Sequence, residues 1–182
     1  AILVAMQKGI ARGIFSNEAG LGSAPIAAAT AKTDEPVAQG LVSMMGTVID
    51  TLIICTMTGL SIIITDTWNI GLDGVDVTTR AFQIGLPFPE RVSSFLLMLC
   101  LVFFAFTTIL GWNFYGDCAV RYLWGERALG IYRILYMFSV YLGAVVSLEL
   151  VWGMADLFNS FMAIPNIIGL WMLRGMVTKG RK

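Results

Sequence analysis

An uncharged apolar run over residues 92–116, VSSFLLMLCLVFFAFTTILGWNFYG, constrains this chain more than any other feature. A helix of about 20 such residues crosses the hydrocarbon core of a bilayer, where each backbone N–H and C=O must be paired within the helix. The whole chain agrees with this, because 57% of its residues are apolar and only 13% are charged. Soluble domains carry about 25% charged residues. We therefore predict an all-α, polytopic membrane protein.

A second span is predicted over residues 36–65. It begins with Pro36, a residue suited to the first helical turn, behind Thr33 and Asp34 as N-cap candidates. Its only charged residue is Asp50, close to the middle. Ahead of it, the segment 23–32, SAPIAAATAK, is too short and too polar to cross a bilayer. It is predicted to form an interfacial or packing helix, with a disordered loop as the alternative.

Two more spans are predicted over residues 131–148 and 149–173, and Pro165 is expected to kink the second of them or to divide it in two. Residues 1–14 resemble the end of an earlier helix. We therefore expect part of one span plus about four full transmembrane helices, in a single domain over residues 1–182. Without a starting Met, the chain is expected to lack an N-terminal part.

The distribution of positive charge predicts the orientation, because cytoplasmic connections carry an excess of Lys and Arg. Residues 15–35 and the C-terminus are predicted to be cytoplasmic, and residues 66–91, which carry four acidic side chains, to be external. The basic residues that flank the cytoplasmic segments are Lys8, Arg12, Lys32, Arg121, Arg127, Arg133, Arg174, Lys179, Arg181 and Lys182.

Several classes of function are excluded by composition. Twelve basic residues balance twelve acidic ones, so no charge excess indicates a nucleic-acid partner. Histidine is absent, which removes the commonest metal ligand and general base. The three cysteines are far apart, and neither a nucleophile elbow nor a nucleotide-binding loop is present. We expect neither an enzyme nor a bound cofactor.

Thr107 and Thr108 are the polar residues in the middle of the 92–116 span, and Thr108 shares a helical face with Trp112 and Tyr115. A pair of hydroxyl groups beside an aromatic wall is suited to an ion and a small solute. The alternative is that the hydroxyls only bond the carbonyl oxygens of their own helix, as they often do in membranes.

Asp50 and Asp156 are acidic residues inside predicted spans, where an ionisable group is costly and commonly functional. Either could pair with a base on a missing helix, bind a cation or lie at a seam of the helix bundle, and Asp50 is also a candidate proton relay. For Asp156, three residues before Asn159, a structural hydrogen bond is the favoured interpretation. Asn17 and Glu18 lie in a glycine-rich bend that the charge pattern places at the cytoplasmic mouth. Glu18 is a candidate gate residue that pairs with a nearby base, or alternatively a capping residue.

Four segments together resemble the sodium:alanine symporter family, also called the alanine or glycine:cation symporters. They are GIARGIFSNEAGLGSAPIAAATA (9–31), VIDTLIICTMTGL (48–60), FAFTTILGWNFYG (104–116) and LVWGMADLFNSFMAIPNIIGL (150–170). The resemblance implies the second half of a leucine-transporter-type inverted-repeat fold, with the first core helices in a missing N-terminal half. It also implies a multi-pass protein of a bacterial or archaeal inner membrane.

The resemblance further implies sodium-coupled symport of a small neutral amino acid, alanine or glycine, by alternating access, with sodium as the coupling ion. In that fold a Ser/Thr pair on the eighth core helix completes a sodium site, and Thr107 and Thr108 match that pair. Thr108 and Trp112 resemble substrate-contacting positions. Two alternatives are a transporter with proton coupling or another solute, with Asp50 as relay, and a membrane scaffold subunit that transports nothing.

Overall fold

The computed structural model describes residues 2–179, with side chains described over residues 2–175. Within this range all regular structure is helical. Eight α-helices occur, at Ile2–Ser16 (α1), Ala24–Ala28 (α2), Pro36–Val48 (α3), Thr56–Ile64 (α4), Val75–Gly85 (α5), Glu90–Trp124 (α6), Leu129–Val145 (α7) and Leu148–Lys179 (α8). A π-helix occupies Ile49–Cys55, and short 3-10 turns occupy Thr67–Asn69 and Glu126–Ala128. Arg181 and Lys182, used above to orient the C-terminus, lie outside the described residues.

Four helical segments are long and apolar enough to cross a membrane. They are Pro36–Ile64, Glu90–Trp124, Glu126–Val145 and Leu148–Gly175, judged by length and composition. Large apolar side chains are exposed along all four segments. Because apolar surface on this scale is typical of chains surrounded by lipid or by further helices, an all-helical membrane protein agrees with the structure.

The helix that contains the uncharged run is longer than the sequence indicates. It extends eight residues beyond residue 116 to Trp124, and its 35 residues correspond to about 52 Å, well above the roughly 30 Å of a bilayer core. Asp117 lies in the added part, where Nε of Arg133 from α7 is 3.2 Å from its Oδ2. A carboxylate whose charge is paired does not end a helix. The charged residues after position 116 therefore do not mark the end of α6.

The segment predicted as one span over 36–65 contains a π-helix of seven residues in its middle, Ile49–Cys55. A π-helix has one residue more per hydrogen-bonded ring than an α-helix and is frequent at functional sites. Asp50 lies in its first turn. Apolar periodicity does not distinguish this local widening from a regular helix.

Pro165 does not divide the last span, because α8 is assigned as one helix through it. Proline in a membrane helix is tolerated where neighbouring groups satisfy the backbone. The short segment 23–32 is helical only over Ala24–Ala28, five residues with Pro25 in the first turn. Thr33 does not cap α3 directly; its hydroxyl accepts a hydrogen bond from the Glu35 amide, 3.2 Å away, in the turn before the helix.

The chain forms two compact units, residues 40–112 and residues 1–39 with 113–182. In the first, α5 packs on α4 and is tied to the start of α6 by two side-chain contacts. Arg80 donates to Glu90 at 2.9 Å, and Gln83 donates to the Ser94 hydroxyl at 2.8 Å. In the second unit, α1 and the bend after it lie against α8, through contacts described below.

Candidate functional site

Helix α1 ends in a Schellman motif at Glu18. The Ala19 amide donates to the Ile14 carbonyl at 3.0 Å, and the Glu18 amide donates to the Phe15 carbonyl at 3.3 Å. In this motif the second hydrogen bond is nested inside the first, and the two together end the helix. The residue at the end adopts the left-handed conformation, and glycine usually occupies that position. Glu18 has a φ of 51°, so a glutamate occupies the place of that glycine.

The bend after α1 contains three left-handed residues within five positions. Glu18, Gly20 and Gly22 have φ angles of 51°, 76° and 81°. Glycine adopts this conformation freely, but an L-residue with a side chain pays about 1–2 kcal/mol. A non-glycine residue held in this region is typical of functional sites, where the surrounding structure fixes it.

The Glu18 side chain is held by hydroxyl groups. The Ser23 hydroxyl donates to its Oε2 at 2.7 Å, and the Tyr115 hydroxyl donates to the same carboxylate. Ser23 is only 2% exposed and Leu21, beside it, only 4%, so this bend is one of the best-packed parts of the unit. Among the described residues, the partners of Glu18 are thus hydroxyl groups of the bend and of α6. The sequence had instead suggested a basic side chain as its partner.

Asn17 closes the other side of the helix end. Its amide N–H and its side-chain Nδ2 are both 3.1 Å from the Gly13 carbonyl oxygen, to which both donate. Asn17 and Glu18 therefore shape the end of α1 together, which is compatible with the capping alternative and with a gating role for Glu18.

Asn166 of α8 connects to the bend across 146 positions of sequence. Its Nδ2 donates to the Gly20 carbonyl at 2.9 Å. A Cβ atom at Gly22 would lie 2.9 Å from Oδ1 of the same asparagine, closer than real Cβ contacts. Gly22 is thus required both by its left-handed backbone and by the nearby Asn166.

An ion pair joins α1 to α8 before the bend. Nη2 of Arg12 lies 2.8 and 2.7 Å from the two carboxylate oxygens of Asp156. The guanidinium also covers the Trp152 ring, 4.0 Å from its centroid, and Phe15 meets that ring edge-on at 5.3 Å. Asp156 is therefore held by a base from a distant part of the chain rather than by the neighbouring Asn159.

These contacts place the bend beside the interior of α8. Asn166 lies within Leu148–Gly175, the segment of α8 that is long and apolar enough to cross a membrane. Gly20 is bonded to Asn166 and so lies against this segment of α8. The expectation that the bend lies at the cytoplasmic mouth rests on Lys8, Arg12 and Lys32, and it stays a prediction. Arg12, one of these three residues, has its charge compensated by Asp156.

Thr107, Thr108 and Trp112 belong to the other unit and lie on α6. The Thr107 hydroxyl donates to the carbonyls of Phe103 and Phe104 at 2.9 and 3.0 Å, so the back-bonding that the sequence offered as an alternative is present. This bond uses the hydroxyl proton, and the lone pairs of the Thr107 oxygen can still accept a hydrogen bond or coordinate a cation. Thr107 and Thr108 are exposed, while Trp112 is half-buried.

Asp50, in the same unit, is half-buried at the start of the π-helix. Among residues 2–175, no group of three or more His, Cys, Asp or Glu side chains could hold a metal ion. Asp50 therefore does not belong to a carboxylate cluster within this part of the chain.

Two residues of the site, Ser23 and Asn166, were given no role by sequence reasoning. Both lie inside the motifs that carried the resemblance, at GLGSAP and IPNIIGL. The weak signal was a polar residue beside glycine or proline in an otherwise apolar segment. The pairing with a partner far along the chain had no signal in a single sequence.

The chain is similar to known membrane transporters. The sodium:alanine symporter family matches residues 1–182. A transporter of Haemophilus influenzae without an assigned substrate is 50% identical over the whole chain, which covers 40% of that protein. The sodium/alanine symporter AgcS of Methanococcus maripaludis is 46% identical over 98% of the chain and 39% of its own length. The probable sodium/glutamine symporter GlnT of Bacillus subtilis is 39% identical over 97% of the chain and 37% of its own.

The chain spans about 40% of the length of these relatives. The matches to them cover 97–100% of the chain. The family that matches all 182 residues and the relatives of up to 50% identity are transporters rather than enzymes. The chain belongs to the sodium:alanine symporter family.

Proposed function

We propose that the whole protein, of which this chain is a part, couples the inward movement of sodium to uptake of a small neutral amino acid such as alanine or glycine. The observation that carries the proposal is the broken helix at Asn17–Ser23 beside the α8 span, in a chain that belongs to this family. Transporters place substrates and ions where a helix is interrupted within the membrane, because the interruption frees main-chain groups for binding.

The proposed fold is the second half of a leucine-transporter-type inverted repeat, and the first half is supplied by an N-terminal part of the same protein. Thr107 and Thr108 are the proposed sodium ligands, with carbonyl oxygens of that part completing the site. Their position in the middle of α6 supports this role, since hydroxyl oxygens suit a hard cation such as sodium. Thr108 and Trp112 are the proposed substrate contacts.

Asn17 and Glu18 are proposed to form part of the gate. The left-handed Glu18 and its hydroxyl partners support this, because a strained residue held by several contacts can change between two arrangements. The membrane potential supplies about 2.3 kcal/mol per sodium charge per 100 mV, to which the sodium gradient adds. The protein is proposed to reside in a bacterial or archaeal inner membrane, with its C-terminus cytoplasmic and residues 66–91 external.

Uptake by the full-length protein in membrane vesicles tests the proposal. We expect alanine or glycine to accumulate when an inward sodium gradient is imposed, and not when potassium replaces sodium. Thr107→Val and Thr108→Val are expected to raise the sodium concentration required, since each loses a coordinating oxygen. Thr58→Val is the matched control, because Thr58 is also a span threonine bonded to its own helix, at the Ile54 carbonyl.

Three results would contradict the proposal. Accumulation that follows a proton gradient without sodium would indicate proton coupling. Unchanged sodium dependence in both threonine variants would remove the assigned sodium ligands. Absence of uptake for every small neutral amino acid, with the protein present in the membrane, would favour a scaffold role.

A further inference from the structure

The Gly20 carbonyl is the main-chain group of the bend that α8 holds directly. The nearby carbonyls of Gly13, Ile14, Phe15 and Glu18 all accept hydrogen bonds from amides within the bend or at the end of α1. Gly20 instead accepts its bond from Nδ2 of Asn166, at 2.9 Å. The direction of this carbonyl is therefore set by another helix rather than by local backbone.

The same asparagine limits the bend from its other side. Its Oδ1 would lie 2.9 Å from a Cβ at Gly22, so the bend approaches α8 as closely as glycine permits. The donor and the acceptor ends of one amide thus both face the bend. Leu21, between the two glycines, is 4% exposed, which shows that the turn is packed and not free to relax separately.

We propose that Asn166 is a positioning residue that fixes the helix break in its binding arrangement and so sets the affinity for the transported amino acid. The inference rests on the proposed function, because it assumes that the bend takes part in substrate binding. Preorganised polar groups bind more tightly since little free energy is lost in ordering them. Without the Asn166 donor, the Gly20 carbonyl samples other directions and the bend must be ordered by the substrate itself.

Two variants of the full-length protein separate positioning from bulk. Asn166→Ala removes the side-chain amide, and Asn166→Asp keeps its size but replaces the donor with an oxygen that repels the Gly20 carbonyl. Because one hydrogen bond contributes about 0.5–1.5 kcal/mol, we expect the KM for sodium-driven alanine uptake to rise about three- to tenfold in Asn166→Ala. Asn166→Asp should show an equal or larger rise, and the maximal rate per folded protein should stay near the wild-type value.

Amide hydrogen exchange of the peptide that contains residues 17–23 supplies a readout that needs no transport. It should accelerate in both Asn166 variants. Asn69→Ala is the matched control and should change neither the KM nor the exchange at the bend, because Asn69 is an exposed asparagine of the other compact unit, bonded to Asp66 at 3.4 Å.

An unchanged KM in folded Asn166→Ala and Asn166→Asp would overturn the inference, even with faster exchange. So would a fall in the amount of folded protein with no change in KM, since that is a purely structural role. If the wild-type protein shows no sodium-driven uptake, the proposed function fails, and unchanged exchange in the variants would then overturn the assigned contact by itself.

Discussion

Arg12 and Asp156 form an ion pair across 144 positions of sequence, with Nη2 of the arginine 2.8 and 2.7 Å from the two carboxylate oxygens. The two residues lie in α1 and α8 of one compact unit, and the arginine also covers Trp152 at 4.0 Å. Nη1 of Arg12 is buried and has no hydrogen-bond partner among the described residues. Removing either side chain would therefore leave the charge of the other without its partner, which is energetically costly.

Asp156→Asn should therefore lower the free energy of unfolding of the full-length protein by about 1–3 kcal/mol. Breaking a fully buried ion pair costs more, but here both side chains are partly exposed. Thermal unfolding in detergent measures this as a lower Tm. The double variant Arg12→Gln with Asp156→Asn should recover part of the loss, since no unpaired charge remains. Glu126→Gln is the control, because its contact to Arg121 is exposed and 3.9 Å long. A single variant as stable as wild type would contradict the prediction.

Glu18→Gly should lower transport activity with little effect on stability. Glycine removes the cost of about 1–2 kcal/mol for a left-handed glutamate but also removes the bonds to Ser23 and Tyr115, so we expect little net change in Tm. Sodium-driven uptake should fall at least about tenfold, as expected when a strained functional residue is replaced.

The matched control for Glu18 is Asp66→Gly, because Asp66 is the other non-glycine residue with positive φ among those described, at 55°. This variant should leave uptake near the wild-type rate. Equal uptake by Glu18→Gly and wild type would reduce Glu18 to a helix-ending residue without a gating role.

Gly116→Ala should weaken the packing of α6 on α7. A Cβ atom there would overlap the hydroxyl and ring of Tyr132, and overpacking of this kind costs about 1–3 kcal/mol. Tyr132→Phe should recover part of that loss in the double variant, because it removes the closest atom. The Tm of the four proteins in a double-mutant cycle measures the coupling, and additive effects would contradict it. Gly130→Ala, where a Cβ meets nothing within 4 Å, should be close to neutral.

Asp50→Asn tests which ion drives transport. If sodium is the coupling ion, the variant should retain sodium-driven uptake, because no step requires Asp50 to carry a proton. The measurement is uptake under imposed sodium and proton gradients, with the wild type in parallel. Loss of uptake in the variant together with proton-driven uptake in the wild type would make Asp50, at the start of the π-helix, the proton relay.

Hydropathy predicted the helical class and the approximate positions of the spans, because crossing a bilayer requires length and apolar composition that any single segment displays. It did not predict where α6 ends, since Asp117 is accommodated by Arg133 on the next helix. It also did not predict that α8 continues through Pro165, or that a π-helix interrupts the 36–65 span. These features depend on neighbours and on backbone hydrogen bonding rather than on composition.

The candidate site, like the fold, was predicted only in part by the sequence. The motif RGIFSNEAGLGSAP by itself determined that a glycine-rich bend follows α1, because glycine adopts the left-handed conformation at little cost. Only the tertiary structure decided where that bend lies and what holds it. Arg12 with Asp156, and Gly20 with Asn166, join residues more than 140 positions apart. Such contacts depend on how helices pack, and a local sequence pattern carries no record of which distant residue supplies the partner.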